Sequence, residues 1–175
     1  IRRRAIRHLQ KHRVVIFDRP GYGYSDRPRD RRWTPEAQAR VIRAAVRRLG
    51  LERPIIVGHS FGASVALSYA ALFPGEIQGA VLISGYYFPT FRPAMTGFGS
   101  LATPVLGDVF RYTIAPLVGR AALPALLRNL FRPNPVPAVF LENFPFDLTS
   151  RPDHIHASAS DLASLRPWAR RMSAV

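Results

Sequence analysis

The sequence predicts an α/β fold: part of a parallel sheet with helices on both faces, and a helical insertion. Three observations carry this. Short apolar runs rich in β-branched residues recur at Val14–Phe17, Pro54–Val57 and Ala80–Ile83. Stretches with helical periodicity separate them. After Gly85 the texture changes, and aromatics and prolines crowd a segment with no strand-like run. Strand, helix, strand, helix, strand at this spacing implies right-handed βαβ crossovers and a parallel sheet. Residues 1–85 then read as the sheet core and 86–165 as a helical insertion over the sheet edge. Residues 166–175 begin a return to the core.

In chain order, Ile1, Ala5 and Leu9 lie four apart with Ile6 beside them, as at the end of an amphipathic helix. Val14-Val15-Ile16-Phe17 has the continuous apolar character of a strand buried on both faces. A Gly-, Pro- and Arg-rich loop follows. Thr34-Pro35-Glu36 supplies a cap, a proline at the first helical position and an acid against the dipole. Val41, Ile42, Ala45, Val46 and Leu49 form the apolar stripe of that helix, with Arg40, Arg43 and Arg47 outward and Gly50 as its stop. The second strand enters a turn at Gly58–Gly62, then a helix to about Phe73, ended by Pro74-Gly75. Beyond the third strand, helices are expected near 119–131 and 137–144. Another starts at Ser150-Arg151-Pro152-Asp153, with Ile155, Ala159 and Leu162 on one face.

Composition excludes several functions. The 175 residues contain no cysteine, which removes disulfides, thiolate metal sites and a cysteine nucleophile. That lack, and a start without a signal-peptide pattern, give the expectation of a cytoplasmic protein. No apolar stretch reaches the roughly 18–20 residues of a membrane span. The formal charge is +14, with Lys11 the only lysine. Residues 1–53 carry 16 basic and 5 acidic groups. No zinc-finger spacing or RNA-binding aromatic motif accompanies the arginines, so they read as solvated helix faces and nucleic acid is not expected as a partner. The histidines have no metal-ligand spacing, and no metal or cofactor is expected.

Gly58-His59-Ser60-Phe61-Gly62 is a G-x-S-x-G sequence between a buried strand and a helix. A nucleophilic serine needs this shape. A strained strand-to-helix turn projects its hydroxyl from the sheet, and the flanking glycines permit the close packing. The N–H of Phe61, next after Ser60 at the helix start, can donate to an oxyanion. His59 reads as a supporting side chain of the turn. The aromatics after Gly85, beginning with Tyr86, Tyr87 and Phe88, imply as a set an apolar pocket for an acyl or aryl group.

Together these features resemble the α/β-hydrolase family. Asp18, Gly21, Gly23 and Ser25 look like the loop after its fourth strand. Ile55–Gly62 looks like the fifth strand and nucleophile elbow, and Gly79–Ser84 like the sixth strand. The aromatic region sits where the family inserts its cap. The resemblance implies hydrolysis of an ester-like bond in an apolar small molecule through an acyl-enzyme at Ser60. Carbon–carbon bond hydrolases, peptidases and perhydrolases use the same serine, and a non-catalytic binding domain is the other reading. The family's His-Gly oxyanion loop has no match here, and its order of Ser, acid, His puts the acid and His beyond Val175. A fragment, inactive by itself, is therefore expected. Inside the chain, Asp147 and His154 have the right order but no strand end to hold them, and surface or cap-packing roles are expected. Asp18 reads as a residue that ties down its own loop.

Overall fold

The computed structural model describes residues 8–90, 109, 112, 113 and 115–173. Residues 1–7 of the expected first helix, and Phe91, Phe98 and Phe110 of the aromatic segment, lie outside them. Helix α1 spans Pro35–Arg48, strand β1 Ile55–His59, helix α2 Phe61–Leu72 and strand β2 Gly79–Ile83, with a 3₁₀ turn at Pro74–Glu76 before β2. Among the described residues, helices α3 (Ala115–Phe131), α4 (Ala138–Asn143), α5 (Phe146–Thr149) and α6 (Pro152–Met172) follow. No helix among the described residues is long and apolar enough to cross a membrane.

The boundaries follow local chemistry. The Thr34 side chain accepts from the Ala37 N–H at 3.3 Å, capping α1, and Gly50 at φ 61° lets the chain leave it. β1 and β2 pair in parallel, Ile55 opposite Gly79 and His59 opposite Ile83, with α2 as the crossover between them.

The core lies between helices. Ala39 of α1, Phe61, Val65 and Tyr69 of α2, Ile77, and Leu165, Trp168 and Ala169 of α6 form one buried cluster, with Ile56 of β1 packed against it. Trp168 is fully enclosed, and its indole N–H donates to Ser68 Oγ at 2.8 Å. The other face of the two strands is open among the described residues. Ile55, Val57, Val81 and Ile83 line it at 59, 64, 47 and 46% exposure.

Three expectations change. Val14–Phe17 forms no strand among the described residues, and Val14, Val15 and Ile16 are exposed. A parallel strand exists only through hydrogen bonds to a neighbour, and the two-stranded sheet offers this run none. Val41 of α1 and Leu49 at its C-cap are exposed while Gln38 is buried, because Gln38 has polar partners inside. On α6, Ala159 is buried and Leu162 packs against the core as expected, but the buried face is wider and also takes in Ala157, Asp161, Leu165 and Trp168. The helix also crosses residues 165–166 without a break.

Candidate active site

Strand β1 ends at His59 and α2 begins at Phe61, so Ser60 is the single residue of the turn. It sits at φ 54°, ψ −123°, where a residue with a side chain is strained by about 1–3 kcal/mol. Surrounding bonds hold it there. The Ser60 N–H donates to Ile83 O at 2.9 Å and the Ala63 N–H donates to Ser60 O at 3.0 Å. Ser60 occupies the N-cap of α2, yet its side chain caps nothing and the residue is exposed. A serine at an N-cap ordinarily satisfies a helix N–H. This hydroxyl is left to face outward at the positive end of the helix.

The two glycines of the motif differ. A Cβ at Gly58 would lie 2.2 Å from Gly62 O and 2.7 Å from Ala63 Cα, so only glycine lets β1 meet the start of α2. A Cβ at Gly62 would meet nothing within 4 Å. The close approach belongs to Gly58 alone. Phe61 is buried, and as the first residue of α2 it carries a backbone N–H with no acceptor inside the helix. His59 is exposed beside Ser60.

The chain leaves β2 next to this turn. Tyr86 and Tyr87 are half-buried against the core cluster, and Tyr86 O lies 3.4 Å from the Ser64 hydroxyl, one turn along α2 from Ser60. Among the described residues, the Tyr87 hydroxyl is enclosed without a hydrogen-bond partner. Phe88 is 69% exposed. Tyr86 and Tyr87 thus pack beside α2, whereas Phe88 encloses nothing among the described residues.

Asp147 lies on α5 and His154 in the first turn of α6. His154 Nδ1 is 3.2 Å from Leu148 O, and its ring meets Tyr22 edge-on at 4.8 Å. Burial pushes the imidazole below the ordinary histidine value. The ring packs the α5–α6 junction against the loop at residue 22. Asp18 lies within its own loop: Ser25 Oγ donates to Asp18 O at 2.7 Å, and a side chain at Gly23 would overlap the Asp18 carboxylate.

Sequence reasoning passed over a second cluster. Asp161, 2% exposed on the inner face of α6, accepts from Arg19 Nη1 at 2.6 Å and Tyr22 OH at 3.0 Å through Oδ2. Its Oδ1 accepts from Arg27 Nη2 at 2.9 Å and Gln38 Nε2 at 3.0 Å. Burial, with this carboxylate beside it, raises the Tyr22 phenol above its ordinary value and keeps it a donor. Gly21, at φ 85°, admits α6, since a Cβ there would lie 2.6 Å from Ala157 Cβ. The available signal was an acid four residues from both Ala157 and Leu165, within the apolar face of a helix.

Comparison with known proteins shows the fold family. A family model described as alpha/beta hydrolase fold matches residues 2–164. The chain is 35% identical over 112 residues to 2-hydroxymuconate semialdehyde hydrolase of Pseudomonas putida, covering 61% of this chain and 38% of that protein. It is 30% identical over 134 residues to an abhydrolase domain-containing protein of Caenorhabditis elegans, covering 72% of this chain and 30% of that one. A solved alpha/beta hydrolase enzyme from a Medee basin deep-sea metagenome library superposes with a TM-score of 0.55 at 20% identity, over 85% of this chain and 52% of that one. The chain thus spans about a third of the length of these curated relatives. With a family match over most of its residues and a strand-turn-helix built around an uncapped, positive-φ serine, this chain belongs to the alpha/beta-hydrolase fold family.

Proposed function

We propose that this chain carries the nucleophile half of a serine hydrolase, with Ser60 attacking the carbonyl of an ester-like bond in an apolar small molecule. One observation carries the reading: a serine at a helix N-cap, strained and exposed, whose hydroxyl caps nothing. Ser60 Oγ adds to the carbonyl carbon, and its proton passes to a histidine base oriented by an acid. In the family's chain order that acid and then that histidine follow the serine. The tetrahedral oxyanion accepts from the Phe61 N–H and from a second donor outside the described residues. Collapse breaks the bond to the leaving alkoxide, which takes the proton back from the imidazolium. Water then attacks the acyl-serine by the same route and releases the acid.

Residues 86–165 act as the cap over this centre, with Tyr86, Tyr87 and Phe88 at its hinge supplying apolar surface. Carbon–carbon bond hydrolysis by the same serine is the second reading. It is favoured because the Pseudomonas putida relative is named as a hydrolase of a semialdehyde, not of an ester.

The test is turnover by the full-length protein on p-nitrophenyl esters of increasing chain length and on a dienoic oxo-acid. Ester hydrolysis that falls roughly 10⁴-fold or more in Ser60→Ala supports the first reading. Turnover of the oxo-acid alone, lost in the same variant, selects the second. Turnover unchanged in Ser60→Ala contradicts both.

A further inference from the structure

Arg19 touches both the buried carboxylate and the elbow. Its Nη1 donates to Asp161 Oδ2 at 2.6 Å and to Gln38 Oε1 at 2.9 Å. Its guanidinium carbon stands 4.7 Å over the Phe61 ring and 4.2 Å over the Tyr22 ring. Phe61 is the residue after Ser60, so a group fixed by α6 presses on the residue that offers the oxyanion N–H.

The geometry points to Asp161, acting through Arg19, as a positioning residue for the nucleophile elbow; its catalytic consequence rests on the serine reading above. The carboxylate holds the guanidinium in one plane and the guanidinium holds the Phe61 ring. The ring in turn sets where the first turn of α2, and the N–H at its start, lie relative to Ser60. Stacking on one face while donating from the edge is a geometry that the planar guanidinium permits and a lysine ammonium does not. The contact also ties α6 to the elbow, so a shift of that helix is transmitted to the oxyanion site. Arg27 provides the contrast. It is bound to the same carboxylate at 2.9 Å and to Ser160 Oγ at 3.1 Å, and its side chain is only 4% exposed, but the contacts it makes do not include the Phe61 ring.

The experiment compares Asp161→Asn, Arg19→Met, Arg27→Met and the Asp161→Asn/Arg19→Met double variant in the full-length protein. Three quantities are read: thermal midpoint, hydrogen exchange of the amides at 58–66, and the rate of fluorophosphonate labelling. All variants lose stability, because each breaks a buried ionic contact. Asp161→Asn and Arg19→Met are expected to raise elbow exchange and slow labelling about 10-fold or more, in line with the cost of small misplacements. Arg27→Met leaves both within about 2-fold of wild type. The double variant is no slower than Arg19→Met, since Asp161 acts through that residue. Elbow exchange and labelling that follow the thermal midpoint alike in all four variants overturn the proposal. A wild type that takes no label while its elbow exchange shows the expected contrast refutes the serine reading and leaves the positioning role standing. Uniform exchange refutes that role whether or not the serine is labelled.

Discussion

Gly58 and Gly62 flank the same serine, yet alanine should move stability in opposite directions at the two sites. At Gly58 the new Cβ would lie 2.2 Å from Gly62 O, 2.5 Å from Gly62 C and 2.7 Å from Ala63 Cα. Ordinary contacts between such atoms are about 3.5 Å, so the start of α2 must retreat from β1 by roughly 1 Å. Forcing side chains into a packed core costs about 1–3 kcal/mol. Here the obstacles are backbone atoms that no rotamer change relieves, so Gly58→Ala falls at or above the top of that range. The opposing gain from a less flexible unfolded chain is about 0.4–1 kcal/mol, leaving a net loss of about 2 kcal/mol or more. At Gly62 nothing lies within 4 Å of the added methyl and the residue is helical. Only the gain survives there, and Gly62→Ala should be more stable by up to about 1 kcal/mol. Urea unfolding of the full-length protein gives both values. Equal effects at the two positions, or a Gly58→Ala variant within about 0.5 kcal/mol of wild type, would refute the packing argument.

Two further perturbations test the interior. Trp168→Phe leaves the buried Ser68 hydroxyl without its indole donor and empties part of the ring site, for a loss of about 2–4 kcal/mol in urea unfolding; adding Ser68→Ala should recover part of it. His154 is held below its ordinary value chiefly by burial, so the unfolded chain binds a proton at higher pH than the folded one. Its contribution is therefore complete above about pH 6.5 and is lost as pH falls from there through the folded value. His154→Gln should show a flatter fall in thermal midpoint between about pH 8 and pH 5, and an unchanged slope would contradict the burial.

Local signals were legible wherever one residue decides the backbone. Thr34 caps α1 and Gly50 ends it as its sequence context predicts. The turn between β1 and α2 falls on Ser60, because a strained turn with close packing leaves few choices beyond Gly58 and its neighbours. What depends on partners was less legible. Val14–Phe17 has the composition of a strand, but composition cannot supply the neighbouring ladder. The buried face of α6 was legible in part: Ala159 and Leu162 do face the core, but Asp161 is buried with them, and a count of apolar residues leaves a carboxylate out. Donors far away in sequence, Arg19, Tyr22 and Arg27 of one loop and Gln38 of α1, make that residue an interior one. Gln38 was missed for the same reason, since its amide is buried only because Trp33 O and Asp161 receive it. The aromatics after β2 also depend on partners: Tyr86 and Tyr87 pack against the core cluster, and Phe88 is exposed.

Whether Ser60 is the activated nucleophile proposed above is decided by fluorophosphonate labelling of the full-length protein. The reagent forms a stable bond only with a serine whose proton has a base to receive it. One labelled site is expected, mapped by peptide mass to Ser60 and absent in Ser60→Ala. A folded protein that takes no label, or one labelled equally in the Ser60→Ala variant, would contradict it.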